Sequence, residues 1–201
     1  MNKPVFTLTP MSLDDFLVWE AEQPERYEYC NGAIVAMVGA TFNHVVVTVN
    51  VVSELRRLLR GGPCVALAND LKVRVEELQS VFYPDVVVTC DARDFGQSAF
   101  EHPTVVIEVL SPSTRGYDRD EKFDAYRRLP SLADYVMIDP DARVALVSSR
   151  DGDSWRLFEG AVAGDLRIPS LGVTVGAAEL WLNWREPPPP PAEPDDPEQE
   201  W

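Results

Sequence analysis

The spacing of apolar and polar positions changes several times along the chain, and each change predicts an element. A helical period over Leu13–Glu22 opens at Ser12, with Asp15 three residues on as a capping pair, and stops at Pro24. Tyr27–Cys30 and Ala33–Val38 flank Asn31-Gly32, a strong hairpin signal. Residues His44–Arg60 return to a helical period, with Val45, Val49, Val52, Leu55 and Leu59 along one apolar stripe, ended by Gly61-Gly62. Short β-rich runs follow at Cys64–Ala68, Leu71–Val75 and Val81–Thr89, then a polar loop, Asp91–His102, and the strand Thr104–Leu110. Ser111 to Thr114 breaks the chain before a helix over Asp118–Leu129, and Ala133–Ile138 is a strand stopped by Asp139-Pro140. Arg143–Ser148 and Ser154–Phe158 bracket Asp151-Gly152 as a second hairpin, and Gly172–Trp184 reads as a closing strand with a short helix. The order predicts an α/β class, an α+β mixed sheet with much antiparallel pairing.

Two positions break the apolar pattern. Glu108 lies inside Val105-Val106-Ile107-Glu108-Val109-Leu110, and Asp85 heads Val86-Val87-Val88 after Tyr83-Pro84. Acids are depleted in strands and costly to bury unpaired. A pair of them on two such strands points to a shared partner, and a divalent cation is the simplest, since carboxylate oxygens are hard ligands. The plainer alternatives are a Glu108 paired with Arg115 or Arg127 and an Asp85 that only begins a strand.

Composition narrows the classes. At 201 residues with 45% hydrophobic positions, the chain suits one domain, taken as 1–185, with a tail over 186–201 that holds six acids and no base. From Pro187 that tail carries seven of the seventeen prolines and is expected to be extended and mobile. The net charge is −15, and without the tail 27 acids still face 18 bases. Such a body repels polyanions at long range, against tight unspecific nucleic-acid binding. No run is long and apolar enough to span a bilayer, and the first residues lack a signal peptide's hydrophobic stretch. Cys30, Cys64 and Cys90 are odd in number and form no CxxC, so reduced thiols and a cytoplasmic location are expected.

Tyr83-Pro84-Asp85, the run Val106 to Thr114, Asp118, Lys122, and Tyr135 through Asp139-Pro140 together resemble the Uma2 family of restriction-endonuclease-like proteins, within the PD-(D/E)xK nuclease superfamily. Tyr27-Glu28, Gly32 and His44 extend the resemblance to about residues 10–180. It implies a restriction-endonuclease-like core with an N-terminal helix and hairpin and C-terminal β additions. It also implies a metal-dependent endonuclease on DNA, working as a homodimer, with Mg²⁺ or Mn²⁺ held by Asp85, Glu108 and the Val109 carbonyl. The superfamily's lysine normally follows the acid by two residues, where this chain has Leu110. The resemblance assigns the role to Lys122, with Asp118 four residues before it as a brace, and makes Glu28 an auxiliary acid. His44 reads either as a capping or buried histidine or as a group near the bound water. Asp70 reads either as a turn acid or as an outer ligand, and His102 as uninvolved. The arginines Arg56, Arg57, Arg60, Arg74, Arg115, Arg119, Arg127 and Arg128 are candidate phosphate contacts. Two other functions fit the acidic body: a non-catalytic binding or assembly protein on the nuclease fold, and a metal-dependent hydrolase of a small phosphoester.

Overall fold

The computed structural model describes residues 6–8, 11–37, 39–68, 70–111 and 115–187, so the expected tail lies, from 188 onward, outside the described residues. After strand β1 (Phe6–Leu8), the Ser12 hydroxyl accepts the Asp15 amide at 3.1 Å and starts helix α1 (Leu13–Ala21). Strands β2 (Tyr27–Cys30) and β3 (Ala33–Ala36) close over Asn31 and Gly32, whose φ values of 46° and 88° are the left-handed pair a tight hairpin turn requires. Helix α2 (Phe42–Leu58) is capped by Thr41 and leads to β4 (Val65–Ala68) and β5 (Lys72–Val75).

The run expected as one strand over Val81–Thr89 is two. It divides into β6 (Ser80–Phe82) and β7 (Val86–Thr89), which belong to different sheets. Pro84 lacks the N–H a continuous ladder needs, so the chain crosses between sheets at Tyr83-Pro84-Asp85. The polar loop that follows also holds a short strand, β8 (Ala99–Phe100), paired parallel with β5. Strand β9 (Val105–Val109) comes next. The helix expected over Asp118–Leu129 is instead α3 (Arg115–Tyr117), a π-helical turn over Asp118–Lys122, and α4 (Phe123–Tyr126). Strands β10 (Asp134–Asp139), β11 (Val144–Asp151) and β12 (Ser154–Glu159) follow, with the second hairpin turning at Gly152. The end is a small ribbon, β13 (Leu166–Ile168) with β14 (Val173–Val175), and α5 (Ala177–Leu180).

Two six-stranded sheets result. One runs β1-β3-β2-β6-β5-β8 and the other β12-β11-β10-β9-β7-β4, with β9 and β10 parallel and their outer neighbours antiparallel. The fold is thus the mixed α+β class the pattern predicts. Alternation along β9 divides the core: Val105, Ile107 and Val109 pack toward α2, while Val106 and Leu110 pack toward β5, α4 and Tyr135. Glu108 shares the parity of the second set.

Helix α2 buries Val47, Val51 and Leu55 against the second sheet. The stripe read from the sequence is therefore only partly the buried one. Leu55 is buried, but Val45 and Val49 are about half exposed, at 50% and 53%. Valines recur so often along this helix that two rows of apolar residues compete, and packing rather than period decides between them.

A second correction concerns the cysteines. Cys64 and Cys90 form a disulfide, leaving Cys30 as the free thiol. Pairing of Val65 with Thr89 in β4 and β7 places the two cysteines opposite one another one step beyond. A sequence lacking close cysteine spacing gives no sign of this contact, because strand register creates it.

In unreduced, denatured protein, thiol titration is expected to find one reactive cysteine. Cys64→Ser should lower the unfolding free energy of the oxidised protein by about 3 kcal/mol, the loop-entropy scale for such a crosslink, as read by urea denaturation. Three reactive thiols would show that the bond does not form.

Candidate functional site

The floor of the site follows from sheet register. In the antiparallel pair β7–β9, Val88 faces Val105, Val87 faces Val106 and Val86 faces Ile107. One step further along that register stand Asp85 and Glu108. Opposed residues of an antiparallel pair share a face, so the crossing at Pro84 leaves the two carboxylates side by side at the end of β7. Asp85 is fixed by both oxygens: Oδ2 accepts the Val109 amide at 2.7 Å, and Oδ1 lies 3.2 Å from His44 Nε2. His44 comes from the first turn of α2, where its own amide donates to the Thr41 hydroxyl at 3.3 Å.

Lys122 arrives from the other side on the π-helical turn. Its ammonium lies 2.8 Å from Glu28 Oε1, 3.3 Å from Glu108 Oε1 and 3.3 Å from Asp118 Oδ1. The Tyr135 hydroxyl donates to the Asp118 carbonyl at 2.8 Å and pins this turn to β10. Single π-type turns are rare and concentrate at functional sites. The Tyr126 hydroxyl approaches Glu108 Oε1 at 3.4 Å, and Glu28 Oε1 also accepts the Tyr83 amide at 2.9 Å. Glu28, Glu108, Asp118 and Lys122 are all nearly inaccessible, between 3% and 5% exposed.

Four carboxylates thus share one ammonium and one imidazole. Burial pushes Glu28 up from the usual carboxylate range and Glu108 well above it, with Lys122 pulling both back in part. Burial works against the Lys122 charge, but Glu108, Glu28 and Asp118 outweigh it and hold the ammonium well above its ordinary value. Burial likewise lowers His44, and the hydrogen bond and charge of Asp85 more than offset this, so it is raised. With all four carboxylates ionised and both bases charged, two negative charges would be left over, and the raised Glu28 and Glu108 reflect the cost of that state.

These groups line a cleft of about 310 Å³ whose walls are apolar: Val35, Met37, Val45 and Val49. Of the sequence candidates, Glu28, His44, Asp85, Glu108, Val109, Asp118 and Lys122 all line it. Asp70 does not; it is an exposed turn residue with φ 53°, 3.6 Å from Arg26. His102 pairs with Asp94 away from the cleft. Glu108 has Lys122 and Tyr126 beside it, and Arg127, one of its two alternative partners, pairs instead with Asp124 at 3.0 Å. Trp181 and Trp184 are tied by their indole N–H groups to the carbonyls of Gly164 and Pro140.

Sequence reasoning missed a second acid layer. Glu20, 1% exposed, lies 3.0 Å from Lys72 and accepts the Tyr83 hydroxyl at 2.8 Å, so Tyr83 links Glu20 to Glu28 through its two ends. The one available signal was a glutamate on the last turn of a helix with a weak apolar face.

The donor chemistry fits a hard divalent ion. Among the described residues no three or more His, Cys, Asp or Glu side chains are arranged to hold a metal ion by themselves. Two carboxylates opening on a cleft suit Mg²⁺, which usually keeps several waters and takes one or two protein carboxylates.

The chain is similar to known proteins over most of its length. The Uma2 family model, described as "Putative restriction endonuclease", matches residues 13–183. The uncharacterized protein slr1290 of Synechocystis sp. (strain ATCC 27184 / PCC 6803 / Kazusa) is 35% identical over 175 residues, covering 86% of this chain and 92% of that protein. A second from the same organism, sll1609, is 32% identical over 138 residues, covering 67% and 78%. Among solved structures, a protein from Anabaena variabilis ATCC 29413, described as a putative nuclease belonging to DUF820, superposes with a TM-score of 0.66 at 20% identity. The match covers 86% of this chain and 98% of that one.

The charge surplus has a measurable consequence. Because burial raises Glu108 above its unfolded value, its contribution to stability is present below about pH 4 and is lost as pH rises through the folded value. Glu108→Gln keeps an oxygen to accept from Lys122 and Tyr126 while removing the charge. In metal-free protein at pH 8 it should raise the unfolding free energy by about 1 kcal/mol, on the scale of relieved active-site strain. Lys122→Met, leaving the buried acids without their ammonium, should lower it by about 3–5 kcal/mol. Urea denaturation across pH reads both, and a Glu108→Gln variant less stable than wild type would contradict the surplus.

Proposed function

The chain belongs to the Uma2 family, and from that premise we propose that it is a metal-dependent nuclease that hydrolyses phosphodiester bonds of DNA. The observation that carries the proposal is a buried ammonium, Lys122, 3.3 Å from Glu108 with Asp85 on the adjacent strand. Burying a lysine among three acids has a large desolvation cost, and a solvated surface pair would have served stability as well.

In this reading Asp85 and Glu108, with the Val109 carbonyl, would hold Mg²⁺ or Mn²⁺. When bound, such an ion neutralises phosphate charge and acidifies a water. The residues around it have separate tasks. Lys122, whose three N–H donors point to carboxylates, offsets negative charge as it builds on the phosphate. Asp118 and Glu28 fix the ammonium's direction, since three acceptors leave it one narrow range of positions. His44 and the Val109 amide fix Asp85, so that its carboxylate is oriented before any ligand arrives. Hydrolysis forms a bond from the water oxygen to phosphorus and breaks the ester P–O bond, leaving a phosphate monoester and an alcohol.

A second reading, a hydrolase of a small phosphoester, draws on the size of the cleft: about 310 Å³ lies at the small end of ligand pockets.

Calorimetric titration with Mg²⁺ and Mn²⁺ tests the proposal on wild type, Asp85→Ala and Glu108→Ala, with plasmid cleavage followed in parallel. Binding to wild type, its loss in both variants, and a fall in cleavage of at least about a hundredfold are expected. Binding without cleavage would transfer the site to the small-phosphoester reading. No binding to wild type would remove the metal site from the account.

A further inference from the structure

The crossing at Tyr83-Pro84-Asp85 brings Asp85 to the cleft, yet it lies between two ladders, since β6 ends at Phe82 and β7 begins at Val86. Side chains hold it. The Tyr83 hydroxyl donates to Glu20 Oε1 at 2.8 Å, and the Tyr83 amide donates to Glu28 Oε1 at 2.9 Å. Glu20 sits on the last turn of α1, 1% exposed, with its second oxygen 3.0 Å from Lys72 of β5. The Lys72 ammonium also stands 5.7 Å from the centre of the Tyr83 ring. Burial, followed by the bond to Glu20 and its charge, pushes the Tyr83 phenol up, so it stays protonated and keeps donating.

Packing alone does not ask for this arrangement. A phenylalanine would fill the volume of the Tyr83 ring, and an apolar residue in place of Glu20 would need no compensating lysine. What the buried acid adds is direction. It accepts from one atom of Tyr83, the hydroxyl, and fixes that end of the side chain while Glu28 fixes the backbone end. Proline sets its own φ and confines the residue before it to extended backbone. With Tyr83 held at both ends, the stiff Tyr83-Pro84 pair leaves little freedom in where Asp85 stands. Tyr83 lines the cleft together with Glu28, Asp85 and Glu108, whereas Glu20 lies behind it.

Resting on the nuclease reading above, we infer that Glu20 and Tyr83 are positioning residues, whose hydrogen bond clamps the crossing and sets Asp85 beside Glu108 to receive a divalent ion. Neither residue touches the ion. Glu20 acts through Tyr83, and Tyr83 acts through the backbone, by its amide on Glu28 and across Pro84 on Asp85. Lys72 offsets the Glu20 charge and so allows a carboxylate acceptor to stand in the interior.

The readout is Mn²⁺ affinity of the full chain by calorimetry, with stability followed by urea denaturation. Tyr83→Phe and Glu20→Ala each remove the bond, Glu20→Gln keeps an oxygen for the hydroxyl, and Thr89→Val is the control. The Thr89 hydroxyl donates to the buried Asp94 at 2.9 Å, at the opposite end of β7 and away from the cleft. Tyr83→Phe and Glu20→Ala should each weaken Mn²⁺ binding at least about fivefold, somewhat less than the loss of a group bonded directly to a metal ligand. Because the two act through one bond, their double variant should lie within about twofold of either single one. Glu20→Gln and Thr89→Val should bind Mn²⁺ as wild type does, although both are less stable in urea. Should Glu20→Ala fail to fold, Tyr83→Phe and Glu20→Gln carry the test. Wild-type affinity in Tyr83→Phe would overturn the inference and leave the metal site in place. So would a Thr89→Val as weak as Tyr83→Phe, a Glu20→Gln as weak as Glu20→Ala, or losses that multiply in the double variant. Wild type without a Mn²⁺ site would remove the nuclease reading, and the clamp with it.

Discussion

A single ammonium, Lys122, compensates the buried carboxylates of Glu28, Glu108 and Asp118, and most of the central architecture is arranged around it. The three acids come from three parts of the chain: a strand of one sheet, a strand of the other, and the turn that carries the lysine itself. Without a cation between them these surfaces would repel. With it, β2 of the first sheet, β9 of the second and the helical segment between α3 and α4 are drawn to one point. With every carboxylate ionised the compensation would be incomplete, and burial raises Glu28 and Glu108 accordingly. Groups perturbed in this way, facing a cleft, mark a candidate functional site.

Two local irregularities produce this arrangement. The first is the crossing at Tyr83-Pro84-Asp85, where proline ends one ladder and the chain enters another sheet. That crossing brings Asp85 beside Glu108 and directs the Tyr83 amide at Glu28. The second is the π-helical turn at Asp118–Lys122, held by Tyr135. Leu110, two residues beyond Glu108 on the strand, is buried at 3% exposure among the aromatic residues of that core. The ammonium that meets Glu108 therefore arrives through space, from Lys122 on a helical turn, rather than along the strand.

The site was more legible in the sequence than the fold's details, for a physical reason. A carboxylate between isoleucine and valine in a strand violates a strong rule, and violations such as Glu108 are readable in a single chain. Elements assigned by period alone were less secure. Helix α2 has valines on both faces, so the pattern chose Val45 and Val49 while the core took Val47 and Val51. The disulfide between Cys64 and Cys90 depends on the register of β4 with β7, which no local spacing encodes. Asp70 had the residue type of a ligand but occupies an exposed left-handed turn, a position acids fill for backbone reasons. Glu20 and its partners Lys72 and Tyr83 were hidden for the opposite reason: each is ordinary alone, and only the sheet packing joins them.

In the proposed reading Asp85 and Glu108 would seat one divalent ion, with Lys122 beside it. Anomalous diffraction from crystals soaked in Mn²⁺ tests that seat. A manganese peak beside the Asp85 and Glu108 carboxylates is expected, with the Lys122 ammonium retained near Glu108. A protein with no such peak, or with manganese bound only at surface acids, would contradict it.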